Sequence, residues 1–222
     1  MNNETIGQTA EYALCKCFNL HCTIKKERID EGICDSIIEQ CKTFTFPKVI
    51  ESVGYKNGSV DYICEGNKTL SLKTLKANDG KICPQVIGQP TLKRWDLYWK
   101  LDFNGALDKN PMRFEWIKAN IHTFLNEMLK YTYCCDYLVL ISNCNKTPQI
   151  EYLRKIPNYF TSQVIEYTRD VYEETYNPVK QKYSEFSTTL KIGSLPIGEI
   201  QFHKSSRKQV KFRFYKRFLV LI

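Results

Sequence analysis

Two short stretches of alternating sequence meet at a glycine turn. Residues 59–64 (Ser-Val-Asp-Tyr-Ile-Cys) and residues 69–75 (Thr-Leu-Ser-Leu-Lys-Thr-Leu) are separated by Gly66-Asn67. A period of two sends successive side chains to opposite faces of a strand, and Gly-Asn supplies the backbone freedom of a tight turn. The pair predicts a β-hairpin. Residues 49–53 predict a strand before it, closed by Gly54 to Gly58, and Tyr137 to Ser142 an apolar strand after it. Thr188–Ile192, Ile197–Phe202, Val210–Phe214 and Phe218–Leu221 predict further strands near the end.

Helical spacing surrounds these strands. Ala10, Ala13, Leu14, Cys17 and Phe18 recur as on one helix face within residues 6–20, and Ile33, Ile37, Ile38 and Cys41 within residues 30–43, where Asp30 is the expected N-cap. Residues 91–101, 113–133 and 161–175 predict three more helices, the second carrying Phe114, Ile117, Ile121, Phe124, Leu125, Met128 and Leu129. Asn78-Asp79-Gly80 reads as a turn, and Pro84 and Pro90 bracket a short segment. No repeat or low-complexity linker interrupts the 222 residues. The expected architecture is α/β, a mixed central β-sheet flanked by helices, with residues 1–222 as a single domain.

An apolar fraction of 43% is enough to build a core, which excludes global disorder. The net charge of +8 is moderate, and its distribution says more. Lys204, Arg207, Lys208, Lys211, Arg213, Lys216 and Arg217 close the chain with no acid among them, and Lys68, Lys73, Lys76, Lys81, Lys93 and Arg94 fall in and after the hairpin. Ten cysteines could suggest disulfides, but Met1-Asn2-Asn3-Glu4 starts polar and no run could span a membrane. The expectation is reduced thiols in a cytoplasmic protein. Cys15-Lys16-Cys17 and Cys134-Cys135 lack the spacing of zinc knuckles.

The hairpin also gathers chemistry. Ser71 and Lys73, two apart, project together, with the Leu72 carbonyl between them, and Asp61 on the preceding strand can reach the same spot. Asp61, nine intervening residues, then Ser71-Leu72-Lys73 resembles the PD-(D/E)xK motif of the restriction endonuclease-like superfamily. Gly58-Ser59-Val60-Asp61 and Lys76-Ala77-Asn78-Asp79-Gly80-Lys81 resemble type II restriction endonucleases in particular. Val60 stands where that motif has Pro, and Ser71 where it has a second acid.

The resemblance implies a restriction endonuclease-like fold and Mg²⁺-dependent hydrolysis of double-stranded DNA at a specific sequence. Asp61 would be a metal ligand, and Lys73 would orient the attacking water or neutralise the attacked phosphate. Hard cations take oxygen ligands, so Leu72 could contribute its carbonyl, Gln85 its amide, and Glu11 on the first helix the acid missing at Ser71. Lysine and arginine neutralise phosphates, and amide-bearing side chains read base edges. One expected DNA surface is Lys76, Asn78, Asp79, Lys81, Gln85, Gln89, Thr91, Lys93 and Arg94; the other is His203, Lys204, Ser205, Ser206, Arg207 and Lys208. His21, His122 and His203 sit in no Cys/His/Asn frame of an HNH nuclease. The expected assembly is a homodimer matching a palindromic site, in one system with a cognate DNA methyltransferase. The alternatives are a DNA-binding protein with an inactive nuclease fold, and a repair or junction-resolving nuclease of the same superfamily.

Overall fold

The hairpin forms, and the first of two compact units is built around it. The structure is a computed structural model that describes residues 2–54, 60–103, 109–156, 158–179, 181–183, 185–203 and 208–222. The first unit comprises Met1–Ile82 with Tyr133–Lys155, the second Cys83–Thr132 with Ile156–Ile222.

In the first unit, β2 (Tyr62–Cys64) and β3 (Lys68–Thr74) are antiparallel, with Tyr62 opposite Leu70 and Cys64 opposite Lys68. Gly66 and Asn67 turn the chain at φ 72° and 57°, a region that glycine enters freely and asparagine tolerates. β1 (Val49–Ser52) pairs antiparallel with β2. On the other side β3 runs parallel to β5 (Tyr137–Ser142), which pairs antiparallel with β6 (Gln149–Leu153). The sheet order is β1-β2-β3-β5-β6, and its one parallel pair needs a long connection, here residues 75–136. That connection includes the two-residue strand β4 (Lys81–Ile82).

Helix α1 (Asn3–Cys17) starts where the Asn2 side chain accepts a hydrogen bond from the Thr5 amide at 2.8 Å, and α2 (Glu31–Cys41) where Asp30 accepts from the Ile33 amide at 3.0 Å. Ile6, Ala10, Ala13 and Leu14 of α1 join Cys34 and Ile37 of α2 and Leu70, Leu72, Val139 and Ile141 of the sheet in one buried cluster. Each fully buried Leu or Ile there contributes roughly 1.5–3 kcal/mol. This packing fixes α1 over β3.

The second unit holds α3 (Leu92–Trp99), α4 (Asn110–Ala119) and α5 (Ile121–Thr132), followed by short strands β7 (Glu166–Tyr167), β8 (Tyr176–Asn177) and β9 (Lys182–Tyr183). A meander of β10 (Phe186–Ile192), β11 (Leu195–His203) and β12 (Gln209–Tyr215) leads into α6 (Lys216–Leu221). Phe114, Phe124, Phe186, Phe202, Phe212 and Phe214 are fully buried in it. Arg113 donates to both Asp96 oxygens at 2.7 and 2.5 Å and to Asn110 at 2.8 Å, which satisfies a buried guanidinium.

The architecture is α/β with sheets and helices, but the strands form two five-stranded sheets and a two-stranded one where one central sheet was expected. Three elements differ from expectation. The helix expected over 113–133 is two helices, because Asn120 leaves helical geometry (φ −120°, ψ 28°) and its amide donates to the Trp116 carbonyl at 2.9 Å. Residues 161–175 are not helical: Thr168 and Arg169 are drawn to the edge of β10, where the Thr168 amide donates to Thr189 O at 3.0 Å and the Arg169 amide to Thr188 Oγ1 at 3.0 Å. Phe218–Leu221 is helix, since the adjacent Phe218 and Leu219 are both buried, which one face of a strand does not allow.

Asp136 sets the start of the parallel pair. Its carboxylate accepts from the Thr69 amide and hydroxyl, each at 2.9 Å, and from Lys68 Nζ at 3.1 Å, and these donors hold it below the ordinary carboxylate range. Asp136→Ala is expected to cost about 1 kcal/mol, because the bonds from the Thr69 amide and hydroxyl are lost at a solvent-accessible position. Urea unfolding should show a lower midpoint with an unchanged slope; an unchanged midpoint would mean that the clamp does not set this register.

Candidate functional site

Asp61 sits immediately before β2, and its backbone amide, its carbonyl and one carboxylate oxygen are all hydrogen-bonded within the first unit. Its amide donates to Leu70 O at 3.1 Å, and its carbonyl accepts from the amides of Val53 at 2.8 Å and Gly54 at 3.1 Å. Its Oδ2 accepts from Ser71 Oγ at 2.9 Å and from the Leu72 amide at 2.6 Å. The side chain is therefore locked, and Oδ1 lies on the side of Gly54, where an added Cβ would stand 3.6 Å from it.

The same Cβ position is 3.6 Å from Glu11 Oε2, so the two carboxylate oxygens are no further apart than twice that distance. Glu11 comes from α1, and Tyr62 ties that helix turn to β2 by donating from its hydroxyl to the Glu11 carbonyl at 2.9 Å. Burial pushes the Glu11 carboxyl up to about 7 from the usual 4.5; the charge of Asp61 pushes the same way, and Lys73 opposes both. Asp61, Glu11 and Lys73 thus belong to one electrostatic neighbourhood. Ser71 is fully buried, and its hydroxyl orients Asp61 rather than standing in for an acid.

Such a set can hold a hard divalent cation. Two carboxylate oxygens face one space, with the Leu72 carbonyl on the adjoining strand as a further possible oxygen. Mg²⁺ keeps several waters and uses one or two carboxylates together with substrate phosphates. Among the described residues no group of three or more His, Cys, Asp or Glu could hold a metal ion, so a cation here would complete its shell with water and phosphate. All ten cysteines are thiols.

The remaining expected residues are dispersed. Lys76, Asn78 and Asp79 are exposed after β3, and the backbone there is zipped to the segment after β5 through Asn143 N to Ala77 O at 3.0 Å and Asn145 N to Lys76 O at 3.1 Å. Lys81 is half-buried in β4. Gln85, Gln89, Thr91, Lys93 and Arg94 belong to the second unit, so the first expected DNA surface draws on both units. The Gln85 amide donates to Tyr131 O at 3.1 Å. Gln89, Thr91, Lys93 and Arg94 are exposed, and Thr91 also caps α3 by accepting from the Arg94 amide at 3.4 Å. His203 is not simply solvated: its Nδ1 pairs with Glu185 Oε2 at 2.5 Å. Lys208 is exposed at φ 39°, and its carbonyl accepts from the Leu92 amide at 2.9 Å. Lys204, Ser205, Ser206 and Arg207, like Gly58 and Ser59, lie outside the described residues. Arg213 pairs with Glu199 at 2.8 Å and Gln201 at 3.0 Å. His122 meets the Gln163 carbonyl at 2.8 Å, a structural contact.

Sequence reasoning did not reach Gly54, which read as a strand-ending glycine. No residue pattern distinguishes a turn glycine from one that leaves room between two acids.

The position of Glu11 makes stability depend on pH in a defined sense. A carboxyl that titrates at about 7 in the fold and at its usual 4.5 when unfolded holds its proton more tightly folded. Metal-free stability should therefore fall as pH rises from about 4.5 to about 7, and then level off. Glu11→Gln removes that loss, so at pH 8 in EDTA the variant should be more stable than the wild type by about 3 kcal/mol, and at pH 4 by nothing. Thermal unfolding at the two pH values measures this; a Gln variant with no advantage at pH 8 would show that Glu11 is not strained by its surroundings.

Over 163 residues, 73% of this chain, the sequence is 31% identical to the type II restriction enzyme CviAII of Paramecium bursaria Chlorella virus 1. The chain spans 43% of that protein's length. No family model matches the chain, and no solved structure matches it.

Proposed function

We propose that the chain is a sequence-specific endodeoxyribonuclease of the type II restriction kind, which hydrolyses phosphodiester bonds of double-stranded DNA with Mg²⁺. The observation that carries this reading is the convergence of Asp61 and Glu11 on one space, with Lys73 in the same field, on a hairpin of the expected pattern. The similarity to a type II restriction enzyme over 73% of the chain supports the same class.

Asp61 and Glu11 would hold the cation, with the Leu72 carbonyl as a third oxygen. Bound there, Mg²⁺ would polarise the scissile phosphate and lower the pKa of a water. Ser71 and the Leu72 amide keep Asp61 Oδ2 occupied, which leaves Oδ1 aimed at the cation's space. Lys73 would orient the attacking water or offset charge on the attacked phosphate. Glu11 must ionise to serve. A cation beside it favours the ionised form, so metal binding at neutral pH would release its proton. Gln85 is the weaker candidate for the second ligand, because an amide brings no charge to a hard cation.

The rest of the reading follows from the substrate. Lys76, Asn78, Asp79 and Lys81, together with Gln89, Thr91, Lys93, Arg94, His203 and Lys208, would meet phosphates and base edges. A homodimer would match a palindromic site, and a cognate methyltransferase would protect the host's own copies of it.

The test is digestion of plasmid DNA with and without Mg²⁺. Discrete fragments are expected. Lys73→Ala or Asp61→Ala should lower the rate about a thousandfold while DNA binding persists, and Glu11→Gln should raise the Mg²⁺ concentration needed. Binding without cleavage would favour an inactive nuclease fold, structure-selective nicking a repair or junction-resolving enzyme. Cleavage by Lys73→Ala at near wild-type rate would remove this site altogether.

A further inference from the structure

Gly54 follows β1 and faces both candidate metal-binding acids. Its backbone lies outside the left-handed region, so no turn geometry demands glycine there. What distinguishes the position is its surroundings. A Cβ on Gly54 would stand 3.6 Å from Asp61 Oδ1, 3.6 Å from Glu11 Oε2 and 3.8 Å from Asp61 Cα. These are ordinary van der Waals distances, so a methyl fits. It would, however, lie directly against one oxygen of each acid.

A cleft of about 390 Å³ opens at this point, lined among others by Gly54, Ser52, Glu11, Gln8, Gly7 and Glu4. The helical residues Glu4, Gln8 and Glu11 recur at the spacing of one face of α1, so the helix sends a polar stripe along the cleft. Glu4 is exposed at one end of the stripe, where Gln8 Nε2 donates to its Oε1 at 3.4 Å, and Glu11 stands at the other. Cys15, Cys22 and Ile24 line the rest of the cleft, so its polar character comes mainly from this stripe, and an acid at each end of the stripe favours entry of a cation over that of an anion.

Resting on the proposed metal-dependent reading, we propose that Gly54 is a positioning residue whose missing side chain lets a divalent cation, arriving through the cleft along α1, contact Asp61 and Glu11 together. Mg²⁺ and Mn²⁺ retain part of their water shell when bound to carboxylates. The space between the two oxygens must then accept an ion and its remaining waters, which one methyl group obstructs.

The experiment compares the wild type with Gly54→Ala, using Mn²⁺ alone as the probe. Ion binding is read by the loss of the free-ion paramagnetic signal and by the rise in unfolding temperature over EDTA. In EDTA the two proteins should unfold within a few degrees of each other. With Mn²⁺ the half-saturating concentration should rise at least tenfold in Gly54→Ala, with a matching loss of thermal stabilisation. Equal Mn²⁺ binding by the two proteins overturns the proposal and leaves the nuclease reading intact. So does an alanine variant that unfolds far below wild type in EDTA, because the methyl then does not fit. A wild type that neither binds Mn²⁺ nor cleaves DNA removes the metal-dependent reading itself, and the role of Gly54 with it.

Discussion

Asp61 is the residue through which the first unit's sheet and its candidate chemistry are the same structure. Its carbonyl draws in the amides of Val53 and Gly54 after β1, its amide reaches Leu70 of β3, and its carboxylate takes the Ser71 hydroxyl and the Leu72 amide. Five hydrogen bonds thus hold one side chain and three chain segments in a single arrangement. A catalytic group needs this kind of fixation, since a site loose by an ångström loses most of its advantage. The cost of desolvating a carboxylate is offset here by two donors on a single oxygen, which leaves the other to be used.

The parts of the fold that were legible are those where local chemistry and tertiary packing agree. Asp30 caps α2 because an Asx side chain can satisfy the Ile33 amide, and β5 ends at the residues its apolar run marks. The failures have separate causes. Residues 161–175 carry some helical spacing, yet Thr168 and Arg169 find backbone and hydroxyl partners on β10. Asn120 interrupts an otherwise continuous apolar face, since its amide returns to the Trp116 carbonyl, a local bond invisible to hydrophobic periodicity. β6 went unseen because Gln149-Ile150-Glu151-Tyr152-Leu153 sits at a sheet edge, where strand composition is mixed.

The geometry of the candidate site was legible in the same uneven way. The spacing of Asp61 from Ser71-Leu72-Lys73 located it, because a hairpin converts sequence spacing into spatial contact by simple register. Glu11 could be nominated only as an acid near the edge of a helix's buried face; which way it turns is settled by the packing of α1 on β3, a long-range fact. Gly54 carried no signal at all, since its contribution is empty space.

Ser71 marks how the charge in this neighbourhood is arranged. The position is fully buried and faces Asp61 Oδ2 at hydrogen-bond distance. A carboxylate there would lack exposure to water and lie against a like charge, two penalties in the same direction. Serine instead supplies a donor, so it relieves the acid it faces. The second negative charge is carried by Glu11, on a helix that lines an open cleft, where ionisation is still costly but water can approach. Moving the second acid from the strand to the helix therefore trades a rigid buried pair for a rigid acid and a titratable one. A cation held by such a pair would bind more tightly as pH rises through the titration of Glu11, whereas a second acid on the strand, buried against Asp61, would resist ionisation still more.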